Sequence, residues 1–152
     1  GYSIGSQHLL NSAVRNEKVT LILVNNTNYG MTGGQMAPTT LPGQKTETTP
    51  YGRDTDLTGF PTKGPEFLSA LTQDNAYIAR ATVSNYRQLK RFIKNALRNQ
   101  IEGNGFSFVE VLSTCPTNWR TNAQQTLHFL EDEMEKYFPV GELKNPLGKG
   151  DK

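Results

Sequence analysis

Apolar positions along this chain follow two periods, and their alternation sets out an order of helices and strands. Between Ile4 and Asn16, residues Ile4, Leu9, Leu10, Ala13 and Val14 recur at near-helical spacing among polar neighbours, which predicts an amphipathic helix. Val19 to Val24 then reads VTLILV, an almost unbroken apolar run rich in β-branched residues, the pattern of a strand buried on both faces of a parallel sheet. The run stops at Asn25. From Asn26 to Pro65 no period survives among the many Gly, Thr and Pro residues, and a connection of that length is usually functional or disordered. Regular alternation resumes with a predicted helix near Gly64 to Thr72, a strand Ala76 to Val83, a helix Tyr86 to Glu102, a strand Phe106 to Leu112 and a helix Asn122 to Tyr137. Strands separated by helices predict an α/β fold, a mostly parallel sheet with crossover helices. The opening helix has no strand before it, so a preceding strand is expected to be missing from this sequence. Residues 1–137 are expected to form the domain. Residues 138–152, with two prolines and three glycines, read as an irregular C-terminal tail.

Composition narrows the class only slightly. A chain of 152 residues is the size of one domain, and a net charge of +2 does not single out nucleic acid as a partner. No apolar run reaches the roughly 18 residues of a membrane span, and the start GYSIGSQHLL lacks the features of a signal peptide, so a cytoplasmic location without membrane contact is expected. The single cysteine excludes an internal disulfide and leaves Cys115 as a buried hydrophobe, a reactive thiol, or a ligand shared with cysteines elsewhere. No Gly-x-x-x-x-Gly-Lys phosphate loop, Gly-x-Gly-x-x-Gly fingerprint or Gly-x-Ser-x-Gly elbow is present.

Open parallel sheets bind ligands at the carboxyl ends of their strands, and Val19 to Val24 runs directly into NNTNYGMTGGQMAPTT. Asn25 and Asn26 offer side-chain oxygens there, a turn at Asn28 exposes a carbonyl, and Gly30, Gly33 and Gly34 let the main chain turn its amides towards an anion. Hard oxygen donors beside free amides suit a magnesium diphosphate. The same residues also fit a Gly-rich surface loop with Asn in its turns, and composition leaves both open.

The run NNTNYGMTGGQMAPTT resembles the second half of the thiamine-diphosphate motif in the β subunits of 2-oxoacid:ferredoxin oxidoreductases. GYSIGSQHLLNSAVRN resembles the helix before it, and FVEVLSTCPTNW and YFPVGELK extend the likeness through most of the chain. The family motif begins with a Gly-Asp-Gly upstream of the paired asparagines, which this sequence does not contain. The resemblance therefore implies a thiamine-diphosphate-binding fold truncated at the amino terminus. It implies that Asn26 gives Mg²⁺ a side-chain oxygen and Asn28 a backbone carbonyl, with the absent Asp as third protein ligand. It places Ile4, Gly5, Asn28, Tyr29, Gly30, Met31, Thr32 and Gly33 on thiamine diphosphate and leaves the catalytic residues unknown. It further implies oxidative decarboxylation of a 2-oxoacid to acyl-CoA and CO₂, with coenzyme A as acceptor, electrons passed to ferredoxin, and an α subunit completing the site. The isolated chain is then expected to be inactive. The YGMTGGQ form is more like that of branched-chain or 2-oxoglutarate enzymes than of pyruvate enzymes.

Alone, a cysteine after an apolar strand is most often a small buried residue. In the resembling family a cysteine at the position of Cys115 is one of four thiolate ligands of a four-iron four-sulfur cluster, the others lying outside this segment. Arg87, Lys90, Arg91, Lys94 and Arg98 share one face of their helix, either a solvated surface or a positive face for an acidic partner. His8 has a structural or a proton-transfer reading. Two rivals remain: a non-oxidative thiamine-diphosphate enzyme, and a non-catalytic fragment or assembly module.

Overall fold

The structure, a computed structural model, describes residues 1–148. The amphipathic opening segment forms α1 (Ser6–Val14), and the apolar run forms β1 (Thr20–Asn25). The long connection holds a short antiparallel hairpin, β2 (Asn28–Tyr29) with β3 (Gln35–Met36), and one turn of helix, α2 (Thr55–Thr58). Beyond it come α3 (Gly64–Leu71), β4 (Tyr77–Thr82), α4 (Tyr86–Ile101) and β5 (Ser107–Leu112), all within the predicted segments. Asn85 starts α4 by accepting a hydrogen bond from the Gln88 amide, which satisfies one of the free donors at the helix end.

Three strands run parallel in the order β1-β5-β4, with Glu110 of β5 set between Leu23 of β1 and Arg80 of β4. Successive side chains of β4 and β5 point to opposite faces, so each strand feeds two cores. Ile78 and Phe108 pack with Leu9 and Ala13 of α1 and Leu68 of α3. Tyr77, Ala79, Val109 and Val111 pack with Phe92 and Ala96 of α4 on the other face. The helices therefore cover both faces of β4 and β5, as their sequence pattern requires.

Three expectations change. The apolar run is not buried on both faces: β1 is the outer strand of the sheet, and Val19, Ile22 and Val24 are exposed, Val24 to 64%. The predicted helix Asn122 to Tyr137 is a composite of α6 (Ala123–His128), a π-helical stretch Phe129–Met134 and α7 (Glu135–Tyr137), preceded by a short α5 (Pro116–Trp119). The wider π turn sends Leu130 and Met134 into a third core with Leu112 and Phe138, and Phe129 meets the Trp119 ring edge-on at 4.7 Å. The segment read as an irregular tail contains β6 (Gly141–Lys144), antiparallel to β4. Its last residues, 149–152, lie outside the described residues.

The long connection is folded around one buried side chain. The Arg53 guanidinium donates to the carbonyls of Pro38 (3.2 Å), Thr40 (2.5 Å), Thr58 (3.4 Å) and Gly59 (2.9 Å), tying both ends of the segment together. No helix among the described residues is long and apolar enough to cross a membrane.

Candidate cofactor-binding site

β1, β4 and β5 end at one edge of the sheet, and the segments leaving β1 and β5 meet there. Asn25, the last residue of β1, is 3% exposed, and its side-chain oxygen accepts from the Thr27 amide (3.0 Å) and the Thr39 hydroxyl (2.7 Å). That oxygen is engaged inside the protein, which removes Asn25 from the candidate metal donors. Asn26 is half-buried and reaches the outer side of the turn, where its amide lies beside Gly30. Asn28 opens β2 opposite Met36, and its buried side-chain oxygen has no hydrogen-bond partner among the described residues.

Thr27, between the two candidate donors, sits at φ 58°, a left-handed conformation that costs an L-residue about 1–2 kcal/mol. Its surroundings hold it there. Its hydroxyl accepts from Gln44 (2.9 Å) and its carbonyl from the Thr40 hydroxyl (2.5 Å).

The glycine turn is built differently from expectation. Gly33 and Gly34 have φ of 117° and 94°, and their amides point inward to the carbonyls of Gly30 (3.3 Å) and Tyr29 (2.9 Å). Those two amides close the turn and do not face an anion. The amides of Gly30, Met31 and Thr32 have no backbone partner among the described residues, which leaves them free to bind an anion. The Met31 side chain is fully exposed at the tip, and the Thr32 hydroxyl donates to the Gln35 side chain at 2.6 Å. Tyr29 is exposed beside them.

Cys115 follows β5, and Pro116 starts α5 directly after it. Asn118 of α5 donates to the Gly30 carbonyl (2.9 Å) and to the Cys115 sulfur (3.2 Å), joining the two loops. A Cβ at Gly30 would lie 3.1 Å from Cys115 Sγ, 3.2 Å from Asn118 Nδ2 and 3.3 Å from Asn26 Nδ2. Gly30 is therefore small because three side chains close over it. The sequence-predicted residues Asn26, Gly30 and Cys115 converge, and Asn118 is the residue that sequence reasoning missed.

A cleft of about 310 Å³ opens along the end of β1, with Tyr2, Ile4, Asn26, Asn28, Tyr29 and Thr39 in its wall. Ile4 is fully exposed just before α1, and Gly5 is the N-cap residue of that helix. His8 is exposed and lines a separate groove between α1 and β1. The basic residues of α4 are all exposed, with Arg98 paired to Glu102. His128 pairs with Asp132 on the surface.

Beneath the cleft lies a buried ionic network. Arg80 and Glu110 are both 0% exposed and hydrogen-bonded through Arg80 Nε, while the two terminal nitrogens of Arg80 grip Glu66 of α3 at 2.7 Å each. The remaining Glu110 oxygen accepts from Tyr2 OH (3.0 Å) and Asn25 Nδ2 (3.0 Å). Burial pulls the Arg80 guanidinium down, but Glu66 and Glu110 outweigh it and hold it above its ordinary value. Burial pushes the Glu110 carboxyl up, against the pull of Arg80 and the Tyr2 and Asn25 donors. Burial and the Glu110 carboxylate hold the Tyr2 phenol well above its ordinary value. The one available signal for this network was a charge in the middle of each of two apolar strands, YIARAT and SFVEVL.

The arrangement fits a diphosphate and a divalent cation in part. It offers three unpartnered amides in the turn that Cys115 and Asn118 approach, and a neutral oxygen donor at Asn26. No group of three or more His, Cys, Asp or Glu able to hold a metal exists among the described residues.

Residues 1–111 match the family described as thiamine pyrophosphate enzyme, C-terminal TPP binding domain, and the chain belongs to that family. It is 47% identical over 146 residues to the ketoisovalerate oxidoreductase subunit VorA of Methanothermobacter thermautotrophicus, covering 94% of this chain and 30% of that one. It is 35% identical over 137 residues to the 2-oxoglutarate synthase subunit KorB of Archaeoglobus fulgidus, covering 88% and 46%. A 2-oxoglutarate:ferredoxin oxidoreductase from Magnetococcus marinus, solved with 2-oxoglutarate, coenzyme A and succinyl-CoA bound, superposes with a TM-score of 0.72 at 28% identity, over 95% of this chain and 53% of that one. The chain thus spans from about a third to about half the length of these relatives.

Proposed function

We propose that this chain is the cofactor-binding part of the β subunit of a 2-oxoacid:ferredoxin oxidoreductase. The complete enzyme would convert a 2-oxoacid to acyl-CoA and CO₂ and pass the electrons to ferredoxin. The observation that carries this reading is the convergence of Asn26, the free amides of Gly30 to Thr32, and Cys115 at the carboxyl edge of a parallel sheet. Likeness to oxidoreductase subunits over most of the chain supports it.

In this reading the Asn26 side-chain oxygen and the Asn28 carbonyl are Mg²⁺ donors, and further donors come from outside this segment. The amides of Gly30, Met31 and Thr32 hold the diphosphate, while Ile4, Gly5, Tyr29 and Gly33 form the surrounding wall. Thiamine diphosphate bound there supplies the electron sink for decarboxylation. Cys115 is one thiolate of a four-iron four-sulfur cluster, beside the cofactor loop because Asn118 bridges the two. An α subunit, ferredoxin, the 2-oxoacid and coenzyme A are the partners, in the cytoplasm. The greater identity to the ketoisovalerate subunit favours a branched-chain 2-oxoacid.

The test is ferredoxin reduction by the assembled enzyme with 2-oxoisovalerate, 2-oxoglutarate and pyruvate, each with coenzyme A. The highest kcat/KM is expected with 2-oxoisovalerate. Activity on none of the three, or 2-oxoacid decarboxylation that needs no electron acceptor, would reject the assignment.

A further inference from the structure

Asn25 stands in the position of a ligand, yet both ends of its amide are engaged within the protein. Glu110, paired with Arg80, presents only acceptors, so the Asn25 amino group must face it at 3.0 Å. That fixes the Asn25 oxygen on the opposite side, where it holds the Thr27 amide (3.0 Å) and the Thr39 hydroxyl (2.7 Å). Thr27 is β-branched and left-handed at φ 58°, a conformation it keeps only where neighbours impose it. The turn at Thr27 sets the directions in which Asn26 and Asn28 leave the chain.

We propose that Asn25 is a positioning residue for the metal–diphosphate site, transmitting the fixed place of the buried Glu110–Arg80 pair to Asn26 and Asn28 through the left-handed turn at Thr27. This rests on the cofactor reading above and adds to it a dependence on a core carboxylate. Arg80 is itself fixed by Glu66 and Glu110, so the anchor belongs to the sheet and to α3. Tyr2 contributes a second donor to the same Glu110 oxygen that Asn25 uses. The loop is therefore tied to a fully buried, multiply hydrogen-bonded pair of the sheet.

The test is calorimetric binding of thiamine diphosphate at saturating Mg²⁺ to the complete subunit, with the unfolding midpoint of the cofactor-free protein measured alongside. Asn25→Ala is expected to weaken binding at least tenfold. Adding Thr27→Gly is expected to recover most of that loss, because glycine takes the left-handed turn without an anchor. A merely structural Asn25 gives a loss that Thr27→Gly does not recover. Should Asn25→Ala fail to assemble, the isosteric Asn25→Asp, which sets a carboxylate against Glu110, is read in the same way with Glu110→Gln as its rescuing partner. Unchanged affinity in the Asn25 variants, or loss without rescue, overturns the proposal alone. A wild-type subunit that binds no thiamine diphosphate overturns the cofactor reading and the proposal together.

Discussion

At the scale of single residues, the proposed cofactor cradle depends on the absence of a side chain at Gly30. A methyl group there meets Cys115, Asn118 and Asn26 at 3.1 to 3.3 Å, so Gly30→Ala must push at least one of them aside. We expect it to weaken thiamine diphosphate binding by about tenfold, about 1.4 kcal/mol, in the complete subunit, measured by calorimetry, with little change in the unfolding midpoint. Cys115 makes a separate prediction. In the complete subunit reconstituted with iron and sulfide, Cys115→Ala should lower the iron content and alter the cluster spectrum, and an unchanged spectrum would remove Cys115 from the ligands. That Asn26 and Cys115 lie at one edge of the sheet was legible in the sequence because each closely follows an apolar strand, β1 and β5. Arg80 and Glu110 were not, because an isolated charge inside a strand reads as a break in the pattern until strand register places the two side by side. The use of Gly33 and Gly34 to close the turn was also hidden, since composition reveals conformational freedom but not the direction of an amide.

At the scale of elements, the apolar periods located α1, α3, α4, β4 and β5 because each is covered by its neighbours in the way its pattern demands. β1 shows what a pattern leaves out: VTLILV records hydrophobicity, whereas burial depends on what lies beside the strand, and here one side is open. The π-helical stretch escaped for a related reason, since a single widened turn barely disturbs a helical period. β6 is too short and too polar to stand out from a tail. The clamp of α3 on β4 is titratable. Burial raises the Glu66 carboxyl, but the two-pronged Arg80 guanidinium outweighs it and holds it below the usual carboxylate value. A carboxyl depressed in the folded state contributes stability above its unfolded pKa and loses it as pH falls through the folded value. Thermal melts should therefore show Glu66→Gln less stable than wild type near pH 7, with the difference shrinking below about pH 4. A difference independent of pH would mean that the carboxylate charge contributes nothing there. Phe108, buried against α1 and α3, should cost about 3–5 kcal/mol when replaced by Ala, measured by denaturant unfolding.

At the scale of the molecule, the parallel sheet places one loop from β1 and one from β5 at the same edge, and a buried ionic pair lies directly beneath them. Under the proposed function Mg²⁺ takes the Asn26 side chain and the Asn28 carbonyl, and the described residues hold no cluster of three or more His, Cys, Asp or Glu beside them. Under the proposed function, turnover belongs to the assembled enzyme and the isolated chain is expected to be inactive. In the proposed function the loop after β1 holds thiamine diphosphate through Mg²⁺. The most direct measurement is the Mg²⁺ concentration needed to half-saturate thiamine diphosphate binding by the complete subunit, wild type against Asn26→Ala. A rise of tenfold or more in the variant is the expected result. An unchanged Mg²⁺ requirement, or a wild-type subunit that binds no thiamine diphosphate at any Mg²⁺ concentration, would contradict it.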